Sequence, residues 1–88
     1  MTNSVLSQNY PNPFNPSTSI KYEVSSITYV RLAVYNILGI EIAVLVEERK
    51  SPGAYTVRFD GSNLPSGIYF YRLQAGNFVE TKRMALVK

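Results

Sequence analysis

Hydrophobic positions in this chain recur at every second residue over much of its length. Thr18–Val24 sets Ile20, Tyr22 and Val24 against Ser19, Lys21 and Glu23, and Thr28–Tyr35 sets Val30, Leu32 and Val34 against Tyr29, Arg31, Ala33 and Tyr35. Side chains two apart share one face of a strand, so each segment predicts a strand with one buried face. Ala54–Asp60 repeats the pattern with Tyr55, Val57 and Phe59 inward and Thr56 and Arg58 outward. Ile68–Gln74 sends Tyr69, Tyr71 and Leu73 one way and Ile68, Phe70, Arg72 and Gln74 the other. Ala75-Gly76-Asn77 is short enough to fold Phe78–Val87 back as its hairpin partner, with Met84 and Leu86 inward. Lys82, Arg83 and Lys88 are expected to keep that last strand soluble. Val5–Gln8 is expected as a short first strand. Asn36-Ile37-Leu38-Gly39 reads as a turn with Gly39 at a positive backbone angle.

Two segments are less regular. Ile40–Val46 carries residues that tolerate a helix, but four β-branched residues in seven, at period two, favour a strand. Glu47–Gly53 then reads as a charged, solvated loop broken at Pro52-Gly53. Pro11, Pro13 and Pro16 remove backbone donors and restrict the residues before them, which rules out a central strand. That segment is expected to close a sheet edge, pinned to the core by Tyr10 and Phe14. The whole pattern predicts an all-β fold, an antiparallel β-sandwich of about seven strands, which the tyrosine spacing described below marks as immunoglobulin-like.

Composition narrows the chemistry. At 88 residues with 45% hydrophobic and 17% charged positions, the chain forms one folded domain with one core. Met1–Ser4 reads as a leader added ahead of a domain at residues 5–88, and no signal peptide is visible in Met1–Gln8. Absence of Cys and His removes disulfides, the thiol nucleophile, the usual general base and the usual zinc and haem ligands. The net charge of +3 is spread along the chain rather than concentrated, which argues against nucleic-acid binding. No apolar run approaches the roughly 20 residues of a membrane span. The six carboxylates fall on separate strands or, for Glu47 and Glu48, on the expected loop, and the five glycines stand singly. No acid/base pair, calcium loop or phosphate loop is therefore expected, and neither catalytic residues nor a metal or cofactor. Tyr29, Tyr35 and Phe70 lie opposite the core stripes and are expected to be covered rather than to bind sugar.

The spacing Gly67-x-Tyr69-x-Tyr71 resembles the tyrosine corner of immunoglobulin-like sandwiches, in which the tyrosine hydroxyl bonds back to the upstream chain. An ordinary aromatic strand after a tight turn is the alternative. A wider resemblance covers Val5 to Lys88. Asn9-Tyr10-Pro11-Asn12-Pro13-Phe14-Asn15-Pro16-Ser17-Thr18 resembles the opening motif of the type A C-terminal sorting domains of type IX secretion cargo. Val34–Gly39, Leu64–Leu73, and Gly76 followed by Lys82 are similar to that family in the same order, with Asn36 where the family often has Asp. The family in turn resembles the immunoglobulin-like domain of flagellar hook-assembly proteins.

The resemblance implies a domain at the C-terminus of a larger protein, with the cargo domain on its N-terminal side, and Lys88 directly after an apolar strand fits such a terminal signal. It implies transit through the periplasm, recognition by the outer-membrane type IX machinery, removal by its C-terminal signal peptidase, and a final place at the cell surface or outside the cell. By resemblance Pro65, Gly67, Tyr69, Gly76 and Lys82 are the partner-recognition residues. For Gly67 and Tyr69 a purely structural role is the alternative, while Lys82, expected as an exposed strand-face residue, is the candidate for direct contact. An unpaired edge strand would allow a dimer. The rival functions are an accessory module binding polysaccharide or a surface protein, and an inert spacer.

Overall fold

The computed structural model describes residues 4–88. Of the expected leader, Met1, Thr2 and Asn3 lie outside the described residues. Ser4 is buried and its hydroxyl accepts the Ser25 N–H at 3.3 Å, so the packed chain includes it.

Seven strands form among the described residues: β1 Val5–Leu6, β2 Ser17–Val24, β3 Thr28–Tyr35, β4 Glu41–Lys50, β5 Gly53–Asp60, β6 Gly67–Ala75 and β7 Phe78–Leu86. They pair in two antiparallel sheets, β1-β2-β5 and β4-β3-β6-β7. This is the expected sandwich. Its β1-β2-β5 and β3-β6-β7 groups are the two halves of an immunoglobulin-like order, with β4 added beside β3.

The alternating stripes meet between the sheets. Ile20, Tyr22 and Val24 from β2 face Val30, Leu32 and Val34 from β3, Tyr69, Tyr71 and Leu73 from β6, and Met84 and Leu86 from β7. Gly76 and Asn77 alone join β6 to β7, because Ala75 pairs directly with Phe78. Gly76 sits at φ 63°, which a side chain at this first turn position would resist, and a Cβ there would lie 3.2 Å from the Thr28 hydroxyl.

β4 departs from the expected plan in two ways. Glu47–Lys50 belong to the strand rather than to a loop, so the β4–β5 turn is only Ser51-Pro52. The register also slips twice: Leu32 pairs with Val46 but Ala33 with Val44, and Val34 pairs with Ala43 but Tyr35 with Glu41. Leu45 and Ile42 are thus extra residues in two bulges. Their insertion makes Ile42, Ala43, Leu45 and Val46 the positions packed on the core, while Val44 and Ile40 turn outward.

The proline segment closes the β7 edge. Phe14 N–H donates to the Ala85 carbonyl and Val87 N–H to the Phe14 carbonyl, both at 2.9 Å. Asn12 Oδ1 accepts the Ala85 N–H at 3.0 Å, and Gln8 Nε2 donates to the Arg83 carbonyl at 2.7 Å. The segment also bonds to β2 through Tyr10 and Ser19, so it straps the two sheets together. Phe14 is buried edge-on against Phe59, with ring centroids 6.1 Å apart. Tyr10, expected as a second anchor, is instead 80% exposed. Its neighbour Asn9 takes the inward position.

Gly61 lies beneath this closure. A Cβ there would stand 3.0 Å from Leu86 Cδ2 and 3.4 Å from both the Phe14 ring and the Pro16 carbonyl oxygen. Gly61→Ala is expected to cost about 1–3 kcal/mol through overpacking, measurable as a lower urea midpoint at unchanged slope.

Candidate recognition surface

The corner forms as the Gly67-x-Tyr69 spacing predicts. Tyr69 is buried, and its hydroxyl donates to the Pro65 carbonyl at 2.6 Å. Leu64 N–H closes the preceding turn on the Gly61 carbonyl at 3.0 Å. Gly67 lies at φ 155° with nothing within 4 Å of where a Cβ would project, so it is the backbone angle, not crowding, that favours glycine there. The chain after β7 crosses this corner: Lys88 N–H donates to Ser66 Oγ at 3.0 Å and its ammonium to the Ser62 carbonyl at 2.6 Å.

Behind the corner lies a polar centre that pattern reading did not find. The Tyr71 hydroxyl donates to the Ser7 carbonyl and accepts the Asn9 N–H, both at 2.7 Å. Asn9 Nδ2 donates to Thr18 Oγ1 at 3.0 Å and to the Pro11 carbonyl at 3.2 Å, and Thr18 Oγ1 donates to the same carbonyl at 2.8 Å. Tyr71, Asn9 and Thr18 are all buried, so each of these groups relies on the others in place of water. Burial pushes the Tyr71 phenol up to about 12, and the Asn9 N–H offsets only part of that. The available signal was the polar half of the opening decapeptide. Asn9, Asn12 and Thr18 punctuate a proline-rich run, where each turns out to satisfy backbone or side-chain groups.

The five expected recognition residues do not form one site. Pro65, Gly67 and Tyr69 gather at the start of β6, whereas Gly76 follows its far end. Eight residue steps at about 3.4 Å separate those ends by roughly 27 Å. Lys82 lies between them on β7, opposite Tyr71. It is less exposed than expected, at 26%, because period two puts it on the same side of β7 as Met84. Its ammonium stands 3.3 Å from the Glu80 carboxylate, in keeping with a stem lying over apolar surface and a charge reaching the sheet edge.

The outer face of the four-stranded sheet is laced with arginine. Arg31 bridges Glu41 at 2.8 Å and Glu47 at 3.3 Å. The Arg31 hydrogen bond holds the Glu41 carboxyl below its usual range, and the same bond raises the guanidinium further. Arg72 stacks on Tyr35, 4.8 Å from the ring centroid, and donates to its hydroxyl at 2.7 Å. Tyr35, covered in this way, is half-buried, as is Phe70, and Tyr29 alone of the three is exposed, so these rings make no open aromatic row.

At the corner end of the sandwich, Ile37 and Leu38 of the β3–β4 turn stand out into solvent. Between that turn and Leu64–Tyr69 lies a cleft of about 320 Å³ with no charged residue in its lining. Among the described residues no three of His, Cys, Asp and Glu converge as metal ligands.

These features together define a small all-β sandwich strapped by its own proline segment, with its corner tyrosine and polar centre spent on closing the fold. The chain belongs to the secretion system C-terminal sorting domain family, whose model matches residues 8–87. It is a C-terminal sorting signal of type IX secretion cargo, which implies interaction with the type IX machinery, a cargo part on its N-terminal side, and export to the cell surface or beyond. Domains of this kind are typically non-catalytic. A comparison with curated proteins finds no match to the chain.

Proposed function

We propose that this domain is a non-catalytic signal read in its folded state, and that Lys82 is the residue the outer-membrane machinery contacts. Pro65, Gly67, Tyr69 and Gly76 serve recognition indirectly, by fixing the corner and the hairpin turn that aim β6 and β7. The observation that supports this division is burial. Tyr69 is buried and spends its hydroxyl on Pro65, whereas Lys82 keeps about a quarter of its side chain exposed and its ammonium stands 3.3 Å from the partly exposed Glu80 carboxylate. On this reading the cargo crosses the periplasm, and a signal peptidase removes the domain after recognition. The working domain is residues 5–88 with Ser4 packed against it.

The test is export of a periplasm-directed fluorescent protein fused ahead of residues 4–88, in a bacterium that has the machinery. Lys82→Ala is expected to abolish extracellular fluorescence while costing only about 1 kcal/mol through the packing its stem loses, so that the variant stays folded. Tyr69→Phe is expected to lose about 1–2 kcal/mol by stranding the Pro65 carbonyl, with export falling only as far as the folded fraction falls. Normal export of the Lys82→Ala fusion would remove Lys82 from the recognition surface.

A further inference from the structure

The two sheets have four edges, and three are visibly guarded. β1 is two residues long. β4 carries two bulges and a run of charge at Glu47–Lys50. β7 is capped from Arg83 to Val87 by the proline strap. β5 has none of these devices. It pairs with β2 without a single register slip over all eight of its residues, and it holds no proline.

The register shows which groups its free edge offers. Gly61 N–H bonds the Pro16 carbonyl, next to the Ser17–Asp60 pair, so the odd-numbered residues of β5 direct their backbone groups at β2. Ala54, Thr56, Arg58 and Asp60 are left with N–H and C=O groups facing outward, and all four residues are exposed. Such an edge takes an extended strand.

The sequence of β5 favours one strand in particular, its own. Laid antiparallel about a two-fold axis at Val57, two copies set Thr56 opposite Arg58 and Ala54 opposite Asp60 on the solvent face, so no like charges meet. On the inner face Val57 meets Val57, and Tyr55 meets Phe59. These are β-branched and aromatic pairs of the kind that stabilise antiparallel strands. Tyr55 and Val57 are only half-buried in the single copy, so they have surface left to cover. Every outward backbone group of β5 finds a partner in this register. We propose that the β5 edge is a self-association surface, joining two copies of this chain through antiparallel β5–β5 pairing centred on Val57.

This goes beyond export and is tested without it, by measuring mass against concentration in solution. A species near twice 9.9 kDa is expected at about 1 mM, giving way to 9.9 kDa on dilution. Thr56→Pro removes an outward N–H that β2 does not use, so it is expected to stay at the single mass with an unchanged circular dichroism spectrum. Thr56→Arg sets arginine opposite Arg58 of the other copy and is expected to weaken pairing at least tenfold. Adding Arg58→Glu to Thr56→Arg places opposite charges across the axis and is expected to restore pairing, which fixes the register even if the proline variant fails to fold. A parent chain that remains at 9.9 kDa at about 1 mM overturns the proposal. So does a folded Thr56→Pro variant, or a Thr56→Arg variant, that associates as tightly as the parent.

Discussion

Replacing Phe14 by Ala is expected to lower the stability of the domain by about 3–5 kcal/mol. Against a total of roughly 5–15 kcal/mol for a domain of this kind, that is a large fraction. The ring is 1% exposed and meets Phe59 edge to face, so truncation leaves a hole the strands cannot collapse into. Unlike an ordinary core truncation, this one also loosens a backbone closure. The Phe14 carbonyl holds the Val87 N–H, and Asn12 on the same strap holds the Ala85 N–H. Hydrogen exchange at Ala85 and Val87 is therefore expected to rise ahead of exchange in the core of β6. Unchanged protection at those two amides would mean that the strap seats without its ring.

Tyr71→Phe is expected to cost about 2–4 kcal/mol, although it removes a single oxygen. That oxygen serves the Ser7 carbonyl and the Asn9 N–H at once, and each is left without its partner, at about 1–3 kcal/mol per buried group. The loss is expected in the urea midpoint near neutral pH. The alkaline limb carries a second signature. The folded phenol is raised to about 12 by burial, while an unfolded tyrosine ionises near 10. The neutral form is thus the one the fold holds. Its contribution is complete below about pH 10 and is lost as pH climbs toward about 12. Parent and variant stabilities are expected to converge over that window. Burial also raises the Tyr22 phenol, so the variant keeps a shallower decline of its own.

Strand identity was written plainly in the period-two stripes. Ile20, Tyr22 and Val24, Val30, Leu32 and Val34, and Tyr69, Tyr71 and Leu73 all face the core as the alternation requires. The corner was legible because a Pro-x-Gly-x-Tyr spacing leaves the hydroxyl few places to go. β4 was not readable in the same way. Its bulges replace strict alternation with paired inward residues, Ile42 with Ala43 and Leu45 with Val46, which is also why a helix looked tolerable there. Glu47–Lys50 looked like loop because charge is common in loops, yet an edge strand welcomes charge for the same solvation reason. Tyr10 and Phe14 look equivalent in sequence. Only the docked strap decides which ring is inward, and Asn9 took the other place because its amide completes the Tyr71 and Thr18 bonds. The exposure of Lys82 was misjudged because its charge was read as solvent-facing, although the alternation that turns Met84 and Leu86 inward places Lys82 on their side of β7.

The strap gives the domain a built-in order of events. Ser7 and Asn9 wait for Tyr71, and Phe14 waits for Ala85 and Val87, so the earliest part of the sandwich is completed by the latest. During synthesis the sheets can pair progressively, but the seal across β7 has to wait until Val87 has left the ribosome. Contacts of such long sequence separation form slowly, because the intervening loop must close first. A chain broken off before β7 would carry an unpaired β6, a stranded Phe14 and a strap with nothing to close on. A seated strap therefore requires β7 to be in place through Val87, which ties the two ends of the sandwich into one closure.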